Sequence, residues 1–231
     1  MDFHVLTIFP EMFDSPFSSG LISKALVKGL VKITCHDIRD YSTDSHKSVD
    51  DYPFGGGPGM VMKPEPIFSA VDNLHSSNRI GSNSRIIVMS PQGRVFDKNI
   101  AKELTEYDEL VFICGRYEGI DERVIQNLAD EEISIGDYIL NGGELATMVI
   151  IDSVSRLLPG VVGSEESILQ DSLSDGLLKY PQYTRPRSFR GLDVPEVLLS
   201  GNHKIIEQWR KDKSVKKTNK KRPDLMTGND V

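Results

Sequence analysis

The side chains best placed by type and spacing to do chemistry lie in or beside three glycine-bearing segments. Residues 134–144 (Ser-Ile-Gly-Asp-Tyr-Ile-Leu-Asn-Gly-Gly-Glu) follow a strand-like run and lead into an apolar, helix-like one. Their glycines allow a sharp turn and a close backbone approach to a ligand. Residues 90–93 (Ser-Pro-Gln-Gly) and 114–119 (Cys-Gly-Arg-Tyr-Glu-Gly) are built alike. Between Gly115 and Gly119, the cation of Arg116, the phenol of Tyr117 and the carboxylate of Glu118 suit ligand recognition. Arg116 and Glu118 could also simply pair with each other at the surface, which is worth about 0–1 kcal/mol. Two further charged candidates lie downstream. Arg156 follows the third segment, with Asp152 at the spacing of an intrahelical ion pair, and Asp171 precedes Ser172 in a context that also fits a cap or turn. A fourth glycine-rich run, residues 55–59 (Gly-Gly-Gly-Pro-Gly), could cradle phosphate or merely turn the chain. It is not a P-loop, because no Gly-Lys-Ser/Thr follows, and the first strand is not followed by a dinucleotide fingerprint. His4, His36, His46, His75 and His203 are scattered without triad context, and Cys114 reads as a small buried residue.

The elements that must position these residues follow from periodicity. Residues 3–9, 31–38, 85–90, 109–114 and 131–135 read as strands. Helices are expected over 21–29, 64–74, 98–104, 121–128 and 145–158. Strand, short loop and helix repeated with long crossovers predict an α/β fold with a largely parallel sheet. Runs such as Ile86-Ile87-Val88 and Leu110-Val111-Phe112-Ile113 suit burial on both faces. A loop leaving a strand's carboxyl end and entering a helix is where such sheets place ligands. After Pro159-Gly160, residues 161–175 turn polar and read as a linker, 180–186 as extended chain, and 194–199 and 202–213 as helices.

Composition narrows the class. The chain has 231 residues, 39% hydrophobic and 26% charged, enough for one large domain with or without a small one. No run of about 18 apolar residues predicts a membrane span. The first nine residues read as a strand and not as a secretory signal. With only Cys35 and Cys114, a zinc site or disulfide framework is excluded and a reducing cytoplasm is the expected home. The net charge of −7 is unevenly spread. Residues 201–231 carry nine Lys/Arg against four Asp/Glu, a balance of +5 that leaves −12 for residues 1–200. A basic tail on an acidic body fits nucleic-acid contact, and equally a solvated terminal helix.

Taken in order, residues 50–60, 90–93, 114–123, 134–144, 180–186, 194–203 and Trp209-Arg210 resemble the bacterial tRNA (guanine-N1-)-methyltransferase family, TrmD, over nearly the whole chain. The resemblance implies a SPOUT-type α/β sheet with a deep trefoil knot in residues 1–160, a flexible linker over 161–170 and a small helical tRNA-binding domain over 171–231. It implies that S-adenosylmethionine is held in the cytoplasmic enzyme by Ser90, Pro91, Gly93, Gly115, Arg116, Tyr117, Glu118, Ile135, Gly136, Asp137, Tyr138, Ile139, Leu140, Gly142 and Gly143. The implied reaction is methylation at N1 of the guanosine immediately 3′ of the anticodon. Asp171 is then the general base, and Arg156 stabilises charge on the guanine. A homodimer, an anticodon stem-loop partner, no membrane and a magnesium requirement with no metal-ligating residue legible are also implied. Val88, Ala146 and Lys179 depart from the family pattern, the last where an acid is frequent. Two other readings stay open: a SPOUT RNA methyltransferase with another target base, and a non-catalytic RNA-binding module.

Overall fold

In the computed structural model, which describes residues 1–163, 171–173 and 176–226, five parallel strands form a single sheet in the order β2-β1-β6-β5-β7. The strands are β1 (Asp2–Thr7), β2 (Lys32–Asp37), β5 (Ser84–Val95), β6 (Glu109–Cys114) and β7 (Glu131–Ser134). A two-stranded hairpin, β3 (Asp50–Asp51) with β4 (Val61–Met62), closes the long loop before the second helix.

Strand alternation divides the core into two layers, as period 2 requires. Phe3, Val5, Ile87, Met89, Leu110 and Phe112 face one cluster, and Leu6, Ile86, Val88, Val111 and Ile113 face the other. The first layer is covered by α1 (Gly20–Val27), α3 (Lys98–Leu104) and α5 (Glu144–Ser155). The second is covered by α2 (Pro64–Ser76) and α4 (Glu122–Asn127). Helix ends follow their chemistry. The carboxylates of Asp97 and Asp121 accept from amides of the first turns of α3 and α4, and Gly29 at φ +67° ends α1 where a left-handed residue is needed.

Several boundaries differ from the sequence reading. The strand expected over 85–90 runs on to Val95, because residues 90–93 are extruded from it: both Met89 and Arg94 pair with Ile133 of β7. The segment is therefore a bulge within a strand and not its exit. A Cβ on Gly93 would overlap the backbone of Glu132, so only glycine lets the chain re-enter the sheet there. The helix expected over 145–158 ends at Ser155, ahead of Pro159. The helix expected over 202–213 continues as α6 (His203–Lys221), and 194–199 is a short 3-10 turn, Glu196–Leu199.

The chain forms two compact units, Met1–Gly163 and Ser164–Val231. Most of the expected linker, residues 164–170, and residues 174–175 lie outside the described residues. In the second unit, α6 anchors the preceding chain. Thr218 Oγ1 accepts from the Leu178 amide at 2.9 Å, Lys217 Nζ donates to the Lys179 carbonyl at 2.8 Å, and Arg210 lies 4.8 Å from the Tyr180 ring centroid. These contacts extend the helix beyond Lys213 despite its polar sequence. Among the described residues no helix is long and apolar enough to cross a membrane.

Candidate active site

Beyond the carboxyl ends of β6 and β7, beside the bulge within β5, lies a cavity of ≈ 390 Å³. Its walls are the three glycine-bearing segments: the bulge at Ser90–Gln92, the loop at 115–120 and the turn at 133–143. The size is that of a small-molecule site, and the place is where parallel sheets bind ligands.

The loops are joined to one another by main-chain bonds. The Gly143 amide donates to the Gly115 carbonyl at 3.0 Å, and Arg116 forms an isolated bridge with Gly142. The Glu118 amide donates to the Met60 carbonyl at 3.0 Å, and that of Met62 to the Gly119 carbonyl at 2.9 Å, which ties the 55–60 run to the second loop. A Cβ on Gly143 would sit 2.9 Å from Cys114 Cα, so the start of α5 presses directly on the end of β6. Tyr117 holds φ +60°, a left-handed conformation that costs energy in a residue with a side chain. Within the turn, the amides of Ile139 and Leu140 donate no hydrogen bond among the described residues, and both residues line the cavity. They are available to a ligand.

Of the fifteen residues singled out for cofactor binding, all but Gly93 and Asp137 line this cavity. Gly93 acts instead at the β5–β7 contact. The sequence reading missed the apolar side chains of Ile120 and Ile125, and the carboxylates of Glu122 and Glu132. With Glu118 these make the walls acidic against one cation, Arg116.

Arg116 is held from several sides. Its Nε donates to both carboxylate oxygens of Glu144, at 3.1 and 3.0 Å, its Nη1 to the Asn141 carbonyl at 3.3 Å, and its guanidinium stands 4.5 Å from the Phe9 ring centroid. Glu144 is fully buried and also accepts from the Thr7 hydroxyl at 2.8 Å. The Arg116–Glu118 pairing left open by the sequence is replaced by this longer-range one. Cys114 is no nucleophile: it is fully buried, its Sγ is 3.3 Å from the Thr147 hydroxyl, and burial pushes its thiol well above the usual range.

Arg156 caps the end of α5 and is exposed, beside a shallow depression with Pro16, Phe17, Val149 and Asp152; it does not line the cavity. Asp171 lies in the second unit, where its Oδ1 is 3.4 Å from Lys179 Nζ, while the Lys179 amide donates to Ser172 Oγ at 3.1 Å. Among the described residues no group of three or more His, Cys, Asp or Glu is placed to hold a metal ion.

Comparison with known proteins gives one answer. Residues 1–228 match a family model described as tRNA (Guanine-1)-methyltransferase TrmD. The chain is 53% identical over 226 residues to a tRNA (guanine-N(1)-)-methyltransferase of Dehalococcoides mccartyi, covering 98% of this chain and 90% of that protein. A relative of the same description from Sulfurihydrogenibium sp. is 56% identical, covering 98% and 87%. One from Clostridioides difficile is 48% identical, covering 97% of each.

Proposed function

We propose, because this chain belongs to the tRNA (guanine-1)-methyltransferase TrmD family, that it methylates N1 of the guanosine immediately 3′ of the anticodon, with S-adenosylmethionine as donor. The observation that carries the cofactor reading is the cavity itself, with glycine-bearing walls, free amides at Ile139 and Leu140, and an acidic lining. The amides suit the edge of a nucleobase, and the acidic walls suit a cationic sulfonium. When bound there, S-adenosylmethionine supplies an electrophilic methyl group. The residues expected to hold it are Ser90, Pro91, Gly115, Arg116, Tyr117, Glu118, Ile135, Gly136, Tyr138, Ile139, Leu140, Gly142 and Gly143, with Gly93 and Asp137 acting from behind the wall.

N1 of guanosine carries a proton that must leave, and the Asp171 carboxylate takes it. Charge that builds on O6 is met by the guanidinium of Arg156. Exposed Leu145 and Val149 on the face of α5 that ends at Arg156 support a homodimer in which a second copy covers that face. The SPOUT knot is supported by the path of the chain, which leaves β7, passes the bulge of β5 and packs Gly143 against β6. The basic helix α6 supports a C-terminal tRNA-binding domain that grips the anticodon stem-loop. The described residues form no preorganised magnesium cage, and no step is routed through that ion.

The test is kinetic. Asp171→Asn should leave S-adenosylmethionine binding within about twofold and lower kcat by at least about 100-fold. Normal turnover would remove Asp171 as the base. Arg156→Ala should lose activity in the chemical step at unchanged melting temperature; a purely thermal loss would make it structural.

A further inference from the structure

We infer that Glu144 is a positioning residue for the methyl-donor site: its carboxylate, with Thr7 behind it, fixes Arg116 so that the second and third loops hold the cavity as one unit. The inference rests on the cofactor reading above and goes beyond it, since neither Glu144 nor Thr7 lines the cavity.

Glu144 is fully buried, and Arg116 is 17% exposed in its side chain. A carboxylate withdrawn from water is costly unless its charge and lone pairs are met. Here both oxygens receive Arg116 Nε and one also receives the Thr7 hydroxyl, while the first turn of α5 places the helix dipole in its favour. The Thr7 oxygen in turn accepts the Phe9 amide at 3.0 Å, and the Phe9 ring lies under the guanidinium. Three segments distant in sequence thus meet at one ion pair: the exit of β1, the loop carrying Arg116, and the turn that leads through Asn141 into the start of α5.

The backbone is shaped around the pair. A Cβ on Gly142 would overlap Arg116 Nε and come within 2.5 Å of Glu144 Oε2. Gly142 therefore serves the Arg116–Glu144 crossing as well as the turn. Stability alone does not require such a pair, because buried ion pairs are commonly matched by apolar packing of equal volume. What the pair adds is direction. An apolar contact would let the 115–120 loop slide against 139–143, whereas the fork of Arg116 and the carbonyl of Asn141 set their register. Those loops carry Tyr117, Glu118 and the amides of Ile139 and Leu140 into the cavity.

The experiment measures S-adenosylhomocysteine affinity by calorimetry, with melting temperature alongside, in Glu144→Gln, Arg116→Lys, the double variant and Thr7→Val. Glu144→Gln and Arg116→Lys should each weaken binding by about ten-fold or more. The double variant should be no weaker than the worse single one, because both remove the same contact. Thr7→Val, nearly isosteric and the least disturbing to folding, should weaken binding by about two- to five-fold. Turnover of Glu144→Gln and Thr7→Val at saturating donor should keep at least about a third of kcat, since no reacting group is touched. Lower melting temperatures with unchanged affinity would overturn the inference and leave a merely structural pair. Additive losses in the double variant would also overturn it. Absence of S-adenosylhomocysteine binding in the unaltered protein would instead defeat the cofactor reading, and this inference with it.

Discussion

Two buried histidines make the stability of this protein sensitive to mild acid. His4 Nδ1 and His36 Nε2 lie 3.0 Å apart in the buried sheet, and His4 Nε2 lies 3.2 Å from the Arg79 carbonyl. Burial depresses both imidazoles, His36 to about 4, and the charged groups that bear on them are Asp2, Lys32 and Arg79. Below about 6.5 the unfolded chain takes up protons that the folded chain refuses. Stability therefore falls as pH drops from about 6.5 to about 4 and is insensitive to this pair above that window. His36 alone contributes a loss on the order of 3 kcal/mol. His36→Gln, which keeps a donor for His4, should flatten urea-melt stability across that window; an unchanged slope would sink the assignment. Lys179 is the other residue with a local prediction, since it pairs with Asp171 where the family pattern favours an acid. Both side chains are partly exposed, so Lys179→Met should change stability by no more than about 1 kcal/mol. If the lysine orients the carboxylate, kcat should drop by up to about ten-fold at constant donor affinity. An unaltered kcat would show the pair to be incidental.

At the scale of elements, the sheet owes its site to an interruption. A regular β5 would pair with β7 along its length and leave no room for the first wall of the cavity. Extrusion of residues 90–93 opposite Ile133 makes that wall, and Gly93 allows the strand to close again behind it. Arg94 then clamps the return, 2.8 Å from Glu131 and 2.8 Å from Glu103. Gly93→Ala should cost about 3 kcal/mol through steric overlap alone, because the backbone at Gly93 is not left-handed. Denaturant melts would measure it, and a cost below about 0.5 kcal/mol would mean that the contact is loose. Pattern alone places this strand but ends it at Ser90, ahead of Pro91 and Gly93. No local rule distinguishes a strand that stops from one that bulges and resumes.

For the whole molecule, the proposed assembly follows from a face that one chain leaves bare. Leu145 and Val149 are about half exposed on α5, a helix otherwise largely packed in the core, and Ile139 in the turn before it is 81% exposed. Burial against a second copy would remove that apolar area from water and would place Arg156 at the seam. Sedimentation velocity should find a dimer in the unaltered protein and a monomer for Val149→Asp, with activity lost alongside. An active Val149→Asp monomer would end the shared-site reading.

The sequence by itself determined the α/β class, the parallel strands with two buried faces, and the three glycine-bearing segments, because these depend on period, turn chemistry and spacing along the chain. The ordered motifs carried the family, which the comparisons then established. Tertiary structure decided what the segments do to one another. Glu144 reaches Thr7 across 137 positions, and Ile133 meets both Met89 and Arg94. Arg116 pairs with Glu144 and not with nearby Glu118 because a buried carboxylate needs a cation to meet its charge, and among the described residues Glu144 has no other. Such choices depend on which groups folding removes from water together, and a linear pattern does not contain that information.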